Sequence, residues 1–235
     1  MFIIKLADLN IKINNRYHYI QHLCNNYIIN TNNYQFEISI SDNDLEYEKQ
    51  FDEFKQPNEY LESIAVLRKI SDEIIKYDGF VLHSSILKVD DMAYAFLARS
   101  GTGKTTHCKL WCEYLKDRVS FINGDKPIIR IIDNIPYAYG TPWNGKEGFG
   151  NNTKAPLRSI CFLHRGKLNR IIMMNKSNVM SSLVTQIVIP EDEEKQDLLF
   201  KSIDSLIKYA NFYYLDCNME KDAAKVSFEM MHEHI

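Results

Sequence analysis

The sequence predicts an α/β protein whose core is a mixed β-sheet, preceded by a small α+β subdomain. Residues 93–97 form an apolar segment of strand length, and a glycine-containing loop joins them to residues 105–116, where apolar side chains recur at helical spacing. Residues 80–89, another strand-like segment, come just before residues 93–97 across the turn Asp90-Asp91, which predicts an antiparallel hairpin. The chain has 235 residues, of which 45 % are hydrophobic and 25 % charged, an ordinary globular composition.

Residues 1–77 are expected to form the small subdomain. Strand patterns near Met1–Leu6 and Tyr34–Ile40 flank a stretch rich in Tyr, His and Asn, and the acidic segment Asp42–Glu53 is expected to be a solvated helix. Pro57-Asn58 then begins a helix that runs to about Lys76. Its apolar stripe comprises Leu61, Ile64, Leu67, Ile70 and Ile74. No motif with recognisable chemistry lies in this region, so we interpret it as a substrate-docking subdomain.

Residues 78–235 are expected to form the core, which contains the hairpin, the glycine loop and its helix. Further strands are predicted at Val119–Ile122, Ile128–Ile132, Leu157–Leu163, Arg170–Met174 and Phe212–Leu215, with the third and fourth forming a second hairpin. Helices are predicted at 176–186, 191–209 and Glu220–Met231. Seven of the nine glycines lie between residues 101 and 150, so this window is where the backbone bends tightly or approaches a ligand.

Residues 98–105 read A-R-S-G-T-G-K-T, and we call them the glycine loop. Gly101 and Gly103 allow backbone N–H groups to turn inward around an anion, and Lys104 adds an ammonium for the β- and γ-phosphates. The hydroxyl of Thr105 is placed to bind Mg²⁺, and the following helix directs its positive end at the phosphates. The loop therefore predicts a nucleoside triphosphate with Mg²⁺. Other expected nucleotide contacts are Ser100, Thr102 and Thr106.

Composition excludes several other classes of partner. The net charge of -3 and pI of about 6.2 give no bulk attraction to nucleic acid or to anionic membranes. No apolar run approaches the ~20 residues that cross a bilayer, and the N-terminus lacks the pattern of a signal peptide, so a cytoplasmic location is expected. The five cysteines are scattered and predict no zinc site.

Phosphoryl transfer also needs a proton acceptor, a metal and groups that neutralise charge. Asp125 ends a predicted core strand 20 residues after Thr105, where it could act as general base or metal ligand. Glu147, in the glycine-rich window, is a second candidate metal ligand. His83 is predicted on the first hairpin strand, beside the strand that enters the glycine loop, and could adjust the ionisation of Asp125.

These residues, taken together, resemble a known family. His83-Ser84-Ser85, the hairpin, the glycine loop and Asn123-Gly124-Asp125 are similar to the catalytic domain of bacterial HPr serine kinase/phosphorylase, and more so to its shorter relatives beside ribosomal-peptide maturation systems. The resemblance is firm over about residues 79–147. It implies the fold shared with phosphoenolpyruvate carboxykinase, a P-loop core with a mixed β-sheet. It also implies an ATP- and Mg²⁺-dependent kinase acting on a Ser/Thr hydroxyl of a small protein or peptide.

The resemblance assigns roles residue by residue: phosphate binding to Lys104, Mg²⁺ to Thr105 and Glu147, proton acceptance to Asp125, and assistance to His83. The sequence departs from the family at Ala98, where the usual pattern has Gly, and at Gly124, where the family has the first of two adjacent Asp. The family's Arg-Gly segment around its metal-binding Glu is also replaced, which leaves reverse phosphorylase activity open.

Several alternatives stay open at this stage. The acceptor could be a free small molecule such as serine, or the chain could be a non-catalytic, nucleotide-dependent binding module. Assembly into a homo-oligomer is a further open question. Each key residue also has a structural alternative: Asp125 as a turn cap, His83 as a core histidine and Glu147 as a solvated loop charge. Trp143 is interpreted equally as a lid or as a packed anchor of its loop.

Overall fold

The computed structural model describes residues 1–99 and 101–233, except for the side chain of Glu233. The chain divides into two units, Met1–Tyr77 and Asp78–Ile235. Among the described residues, none of the helices combines the length and the apolar character that a bilayer crossing requires.

The first unit is a four-stranded sheet with three helices. Its strands, in the spatial order β3-β1-β2-β4, are β1 (Phe2–Leu6), β2 (Leu9–Asn14), β3 (Ile28–Ile29) and β4 (Phe36–Ser39). Its helices are α1 (His18–Leu23), α2 (Asp42–Lys49) and α3 (Asn58–Glu73). Alternate residues of β1 and β2 are buried, which gives the sheet one apolar face. β2 and α1 lie in the polar stretch where no element was predicted.

The helices of the first unit correct two expectations. α2 is not simply solvated, because Glu48 is buried and accepts a 2.6 Å hydrogen bond from Arg68 Nε. In α3, Ile64 and Leu67 of the predicted stripe are only half-buried. The fully buried face includes Leu61, Ala65, Val66 and Ile70, so the helix is rotated relative to the stripe predicted from spacing alone.

The second unit is built around a mixed sheet, which confirms the predicted α/β class. Its strands are β5 (Gly79–Val81), β6 (Ser85–Val89), β7 (Met92–Leu97), β8 (Val119–Asn123), β9 (Ile128–Ile132), β10 (Ile135–Tyr139), β11 (Lys154–Arg165), β12 (Arg170–Met173) and β13 (Asn211–Cys217). Its helices are α4 (Lys104–Leu115), α5 (Val179–Leu183), α6 (Glu193–Tyr209) and α7 (Asp222–Glu233). The main path runs β5-β9-β10-β11-β7-β6-β8.

The strand β7 lies inside this sheet, between β11 and β6. On one side it pairs with β6 as the predicted antiparallel hairpin, and β8 pairs with the far edge of β6. On its other side β7 pairs in parallel with β11, which also pairs in parallel with β13. The glycine loop is therefore flanked by β6 and β8 on one side, and by β11 and β13 on the other.

Two strand predictions are wrong, and one strand was not predicted. Residues 80–89 are not one strand but two, β5 and β6, interrupted at residues 82–84, so His83 lies in the interruption rather than on the hairpin. β11 and β12 do not form a hairpin, because β13 pairs with both of them. β10 was not predicted at all. The pairing of β11 with β13 joins segments far apart in sequence, so no local pattern reveals it.

The helix α4 packs on the sheet through Trp111, which is fully buried and contacts Phe96 edge-on at 5.0 Å. The buried face of α4 comprises His107, Cys108, Trp111 and Leu115. Leu110 is half-buried and packs against the same core, whereas Tyr114 is exposed.

His107 is held within this core by the hydroxyl of Ser227. Ser227 donates its own proton to the carbonyl of Ala223 (2.8 Å), so His107 donates from Nε2 (3.1 Å). The His107 Nδ1 atom has no hydrogen-bond partner among the described residues. The imidazole is therefore buried in its neutral form, and burial lowers the pKa of His107 from 6.5 to about 4.

We expect His107 to make the fold sensitive to acid. Between pH 6.5 and about 4 the unfolded chain binds a proton at His107 that the folded chain excludes, so stability falls as the pH falls through this window. The loss amounts to about 3 kcal/mol at most. Urea unfolding at several pH values measures it. The variant His107→Phe should flatten this part of the profile, whereas the exposed His18→Gln should not; equal slopes in all three proteins would contradict the assignment.

Candidate functional site

The glycine loop joins β7 to α4 with two glycines in backbone conformations that favour this residue. Gly101 has φ +74° and Gly103 φ +120°. A Cβ at either position would meet no atom within 4 Å, so the space in front of the loop is open. No described side chain caps the N-terminus of α4 at Gly103, which leaves N–H groups of its first turn for an anion. Ser100 lies outside the described residues.

Arg165, at the end of β11, holds the loop from its carbonyl side. Its Nη2 atom donates to the carbonyl of Gly101 at 2.6 Å, and its Nε atom donates to that of Thr102 at 3.4 Å. These contacts fix two carbonyls of the loop and favour the N–H groups facing the other way. The sequence analysis missed Arg165, because its nearness to the loop depends on the parallel pairing of β11 with β7.

Lys104, His83 and Asp125 come together beside the loop. The Lys104 ammonium donates to the carbonyl of Ala98 and lies 3.2 Å from His83 Nε2. The same His83 nitrogen lies 3.3 Å from Asp125 Oδ1. When Nε2 carries a proton it donates to Asp125, and when it does not it accepts from Lys104. The protonation of one nitrogen therefore selects between the two contacts.

The interruption between β5 and β6 positions His83. Its backbone N–H donates to the carbonyl of Gln186 (2.9 Å), beside the isolated β-bridge of Leu82 with Ile187, instead of continuing the pairing of β5 or β6. The N–H of Ser84 donates to the carbonyl of Asp125 (3.1 Å), which ties this segment to the end of β8. His83 thus faces Asp125 because the chain leaves the sheet here. The alternative interpretation, in which His83 is an enclosed core histidine, does not fit because the His83 side chain is 30 % exposed.

Asn123 sets the turn that presents Asp125. Its buried side-chain oxygen accepts the N–H groups of Asp125 and Lys126, both at 2.8 Å, and its Nδ2 donates to the carbonyl of Thr141 (3.1 Å). Asn123 therefore performs the turn-capping role that was the alternative for Asp125. The Asp125 carboxylate is left to face His83 and Lys126, whose Nζ lies 3.8 Å away.

Burial alone would raise the pKa of Asp125, but the hydrogen bond from His83 and the positive charges of Lys126 and Lys104 outweigh it. The pKa of Asp125 consequently lies below its ordinary value, so the carboxylate is ionised at neutral pH. Burial also lowers the pKa of Lys104, and the Asp125 carboxylate opposes this effect only in part. The site thus combines a carboxylate anion with a partly desolvated ammonium.

Glu147 is engaged by a lysine. Its carboxylate forms a 2.6 Å ion pair with Lys109 on α4, and both side chains are about half exposed. Lys109 also lies over the ring of Phe149, which stacks on Phe121. Trp143 is buried, which fits an anchor of this loop rather than a lid.

A cavity of about 460 Å³ brings most of the predicted site residues together. They are His83, Gly101, Gly103, Lys104, Thr105, Thr106, Asp125 and Glu147. Thr102 instead lines a neighbouring cavity. No three His, Cys, Asp or Glu residues in the described part of the chain are close enough to hold a metal without another ligand.

The residues in this cavity fit a triphosphate with Mg²⁺. The loop offers open space, glycine backbone and helix N–H donors to phosphate oxygens, and Lys104 offers an ammonium. Thr105, Asp125 and Glu147 offer hydroxyl and carboxylate oxygens, the hard ligands that Mg²⁺ prefers. Mg²⁺ usually keeps several waters and uses substrate phosphates as ligands, so it needs no dedicated cluster of protein carboxylates.

No known family model matches the chain, and no curated protein matches its sequence. Among solved structures, the chain is similar to the HPr(Ser) kinase/phosphatase from Coxiella burnetii, with a TM-score of 0.35 and 8 % sequence identity. The match covers 65 % of this chain and 97 % of that chain. It marks a distant structural relationship only.

Proposed function

We propose that the protein is an ATP- and Mg²⁺-dependent kinase that phosphorylates a Ser or Thr hydroxyl of a small protein or peptide. The observation that carries the proposal is the meeting of Lys104, His83 and Asp125 beside an open glycine loop. An anion cradle with a carboxylate base alongside is the arrangement that phosphoryl transfer to an alcohol requires. The choice of a peptide acceptor rests on the resemblance of the sequence motifs. We assign nucleotide binding to residues 78–235 and acceptor docking to residues 1–77.

In this proposal Asp125 accepts the proton of the acceptor hydroxyl. The hydroxyl oxygen forms a bond to the γ-phosphorus, and the bond between that phosphorus and the β–γ bridging oxygen breaks, so ADP leaves with the electron pair. Lys104 and Lys126 stabilise the negative charge on the transferring group. His83 orients the Asp125 carboxylate while Nε2 carries a proton.

Mg²⁺, when bound, would neutralise charge on the β- and γ-phosphate oxygens. The hydroxyl of Thr105 would hold it, together with the carboxylates of Asp125 and Glu147. Lys109 pairs with Oε2 of Glu147, so Mg²⁺ would either use Oε1 or compete with Lys109 for the carboxylate.

We expect the Lys109–Glu147 pair to tune the Mg²⁺ requirement. Glu147→Gln removes a charged ligand and should raise the Mg²⁺ concentration for half-maximal activity about tenfold. Lys109→Met frees the carboxylate and should lower that concentration, by no more than about fivefold because exposed ion pairs contribute only ~1 kcal/mol. Mg²⁺ titrations at saturating ATP measure both effects. Equal Mg²⁺ dependence in all three proteins would exclude Glu147 as a ligand.

The kinase activity is tested with γ-labelled ATP, Mg²⁺ and a panel of acceptors. The panel contains a library of Ser- and Thr-containing peptides and, separately, free serine. We expect label on a peptide hydroxyl, with no label in Lys104→Ala. Transfer to free serine alone would replace the peptide acceptor with a small molecule.

The non-catalytic alternative is favoured by two departures from the family pattern, Gly124 in place of the first of two adjacent Asp and Ala98 in place of Gly. A binding module would bind ATP tightly and transfer no label to any acceptor. Under that alternative, Asp125→Asn would leave its biological activity intact.

A further inference from the structure

A second cavity, of about 540 Å³, opens beside the glycine loop and shares Arg99 with the first. We propose that this second cavity binds the nucleoside, base and ribose, of the donor nucleotide. This assignment rests on the kinase function proposed above. It gives a binding site to the part of the donor nucleotide that lies outside the phosphates. The volume is within the range of small-molecule sites.

The order of strands indicates which end of the nucleotide lies where. Asp125 follows β8, which lies beyond β6 on one side of β7. The second cavity is lined by the last residues of β11 and by Tyr214 in the middle of β13, on the other side of β7. In phosphoryl transfer the acceptor and the leaving group lie on opposite sides of the γ-phosphorus. An acceptor next to Asp125 therefore directs the ADP portion toward β11 and β13.

The wall of the second cavity is suited to a flat base. The rings of His164 and Tyr214 are stacked, with centroids 4.4 Å apart and planes inclined by 22°. Both line the cavity together with Phe162 and Met174. Leu163, which lies between Phe162 and His164 on β11, also lines the cavity and belongs to the buried cluster that includes residues of α4. The result is an apolar and aromatic surface beside the phosphate-binding loop.

Polar groups face this wall from the segment around α5. Ser182 and Thr185 line the cavity and carry hydroxyls suited to a ribose or to the edge of a base. Gln186 lines it as well, and its Oε1 atom has no hydrogen-bond partner among the described residues. A base with an amino group supplies a donor of the kind that this oxygen lacks.

The first cavity is less suited to a base. Its rings are those of His83, which is engaged by Asp125 and Lys104, and of Phe149, over which the Lys109 ammonium lies, so a cation stands where a base would stack. Arg99 lines both cavities, so a cation lies at their junction, where the phosphate end of a nucleotide would meet its nucleoside end. The first cavity thus suits the phosphates of the nucleotide, and the second cavity suits its nucleoside.

Isothermal titration calorimetry with two probes, ATP and inorganic tripolyphosphate, each with Mg²⁺, tests the assignment. We expect His164→Ala, which removes the exposed member of the ring pair, to raise the Kd for ATP about tenfold, the effect of one lost stacking contact. Ser182→Trp, which fills the cavity, should raise it at least as much. Both variants should bind tripolyphosphate within twofold of the unmodified protein. The exposed His18→Ala serves as the matched control, and thermal melts identify any misfolded variant.

The outcomes separate this inference from the proposed function. If both variants bind ATP as the unmodified protein does, or if that protein binds tripolyphosphate as tightly as ATP, the nucleoside assignment is overturned and the kinase proposal stands. If His164→Ala and Ser182→Trp raise the KM for the acceptor but leave the Kd for ATP unchanged, the cavity binds the acceptor instead. If the unmodified protein binds neither probe, or if Lys104→Ala leaves both affinities unchanged, the proposed function fails as well.

Discussion

Asp125→Asn is expected to lower kcat about a thousandfold while changing the Kd for ATP by only a few fold. Asparagine keeps the shape of the side chain but cannot accept the proton of the acceptor hydroxyl, and a positioned general base contributes about 10²–10⁴ to the rate. The turn should survive the change, because Asn123 holds the backbone N–H groups of residues 125 and 126 with its own side chain. At saturating Mg²⁺, where the loss of one metal ligand is compensated, the effect should therefore lie in the chemical step.

Single-turnover transfer and calorimetry measure the rate and the affinity separately. Asp133→Asn makes the same chemical change at an exposed residue outside the site, and should leave both quantities unaltered. His83→Gln should reduce kcat less than Asp125→Asn, about tenfold, because His83 only orients the carboxylate. If Asp125→Asn keeps most of the unmodified rate, Asp125 is not the base.

The hairpin, the glycine loop and α4 could be predicted because each is specified by adjacent residues. Alternating or helically spaced apolar side chains identify the elements, and the spacing of glycines and lysine identifies the loop. The same local information gave Asp125 its place after β8. Predictions of this kind need no knowledge of which strands become neighbours.

The features that could not be predicted depend on such neighbours. The chain leaves the sheet at His83 because the N–H of this residue pairs with the carbonyl of Gln186, about a hundred residues away. Arg165 reaches the glycine loop only because β11 lies parallel to β7. β13 pairs with both β11 and β12. Local periodicity carries no signal for these long-range contacts, so the sequence suggested a simpler hairpin.

Gly124 is where the sequence departs from the resembled family, and the structure gives a physical reason for glycine there. A Cβ added at this position would lie 2.7 Å from the carbonyl oxygen of Asn144 and 3.1 Å from that of Phe149. Both are backbone atoms, which cannot move without the loop that carries them. The loop containing Glu147 thus packs against the space where a first aspartate side chain would begin.

We therefore expect Gly124→Ala and Gly124→Asp to lower kcat/KM at least a hundredfold. The Cβ would displace the loop from the site, and a displacement of about 1 Å at reacting groups is enough for such a loss. Asp125 should move as well, because the same loop lies against it at Gly145. A Cβ added to Gly145 would be only 3.2 Å from the Cβ of Asp125. Steady-state kinetics and thermal melts measure the two consequences.

Gly148→Ala is the matched control within that loop. Gly148 has φ +68°, so alanine is strained there, but its Cβ would meet no atom within 4 Å. This variant reports the backbone strain alone, about 1–2 kcal/mol of stability, and should reduce kcat/KM less than tenfold. The comparison separates contact with the loop carbonyls from the general effect of replacing a glycine.

The variant Gly124→Asp also distinguishes two accounts of a site with one carboxylate. If the missing aspartate limits catalysis, restoring it should raise kcat/KM. The loop that contains Glu147 would then have to move without disturbing the site. If the loop has taken the place of that side chain, the added carboxylate would be forced against the carbonyls of Asn144 and Phe149, and activity must fall. We expect the fall, because a carboxylate beside two carbonyl oxygens gains no hydrogen bond from them and repels both.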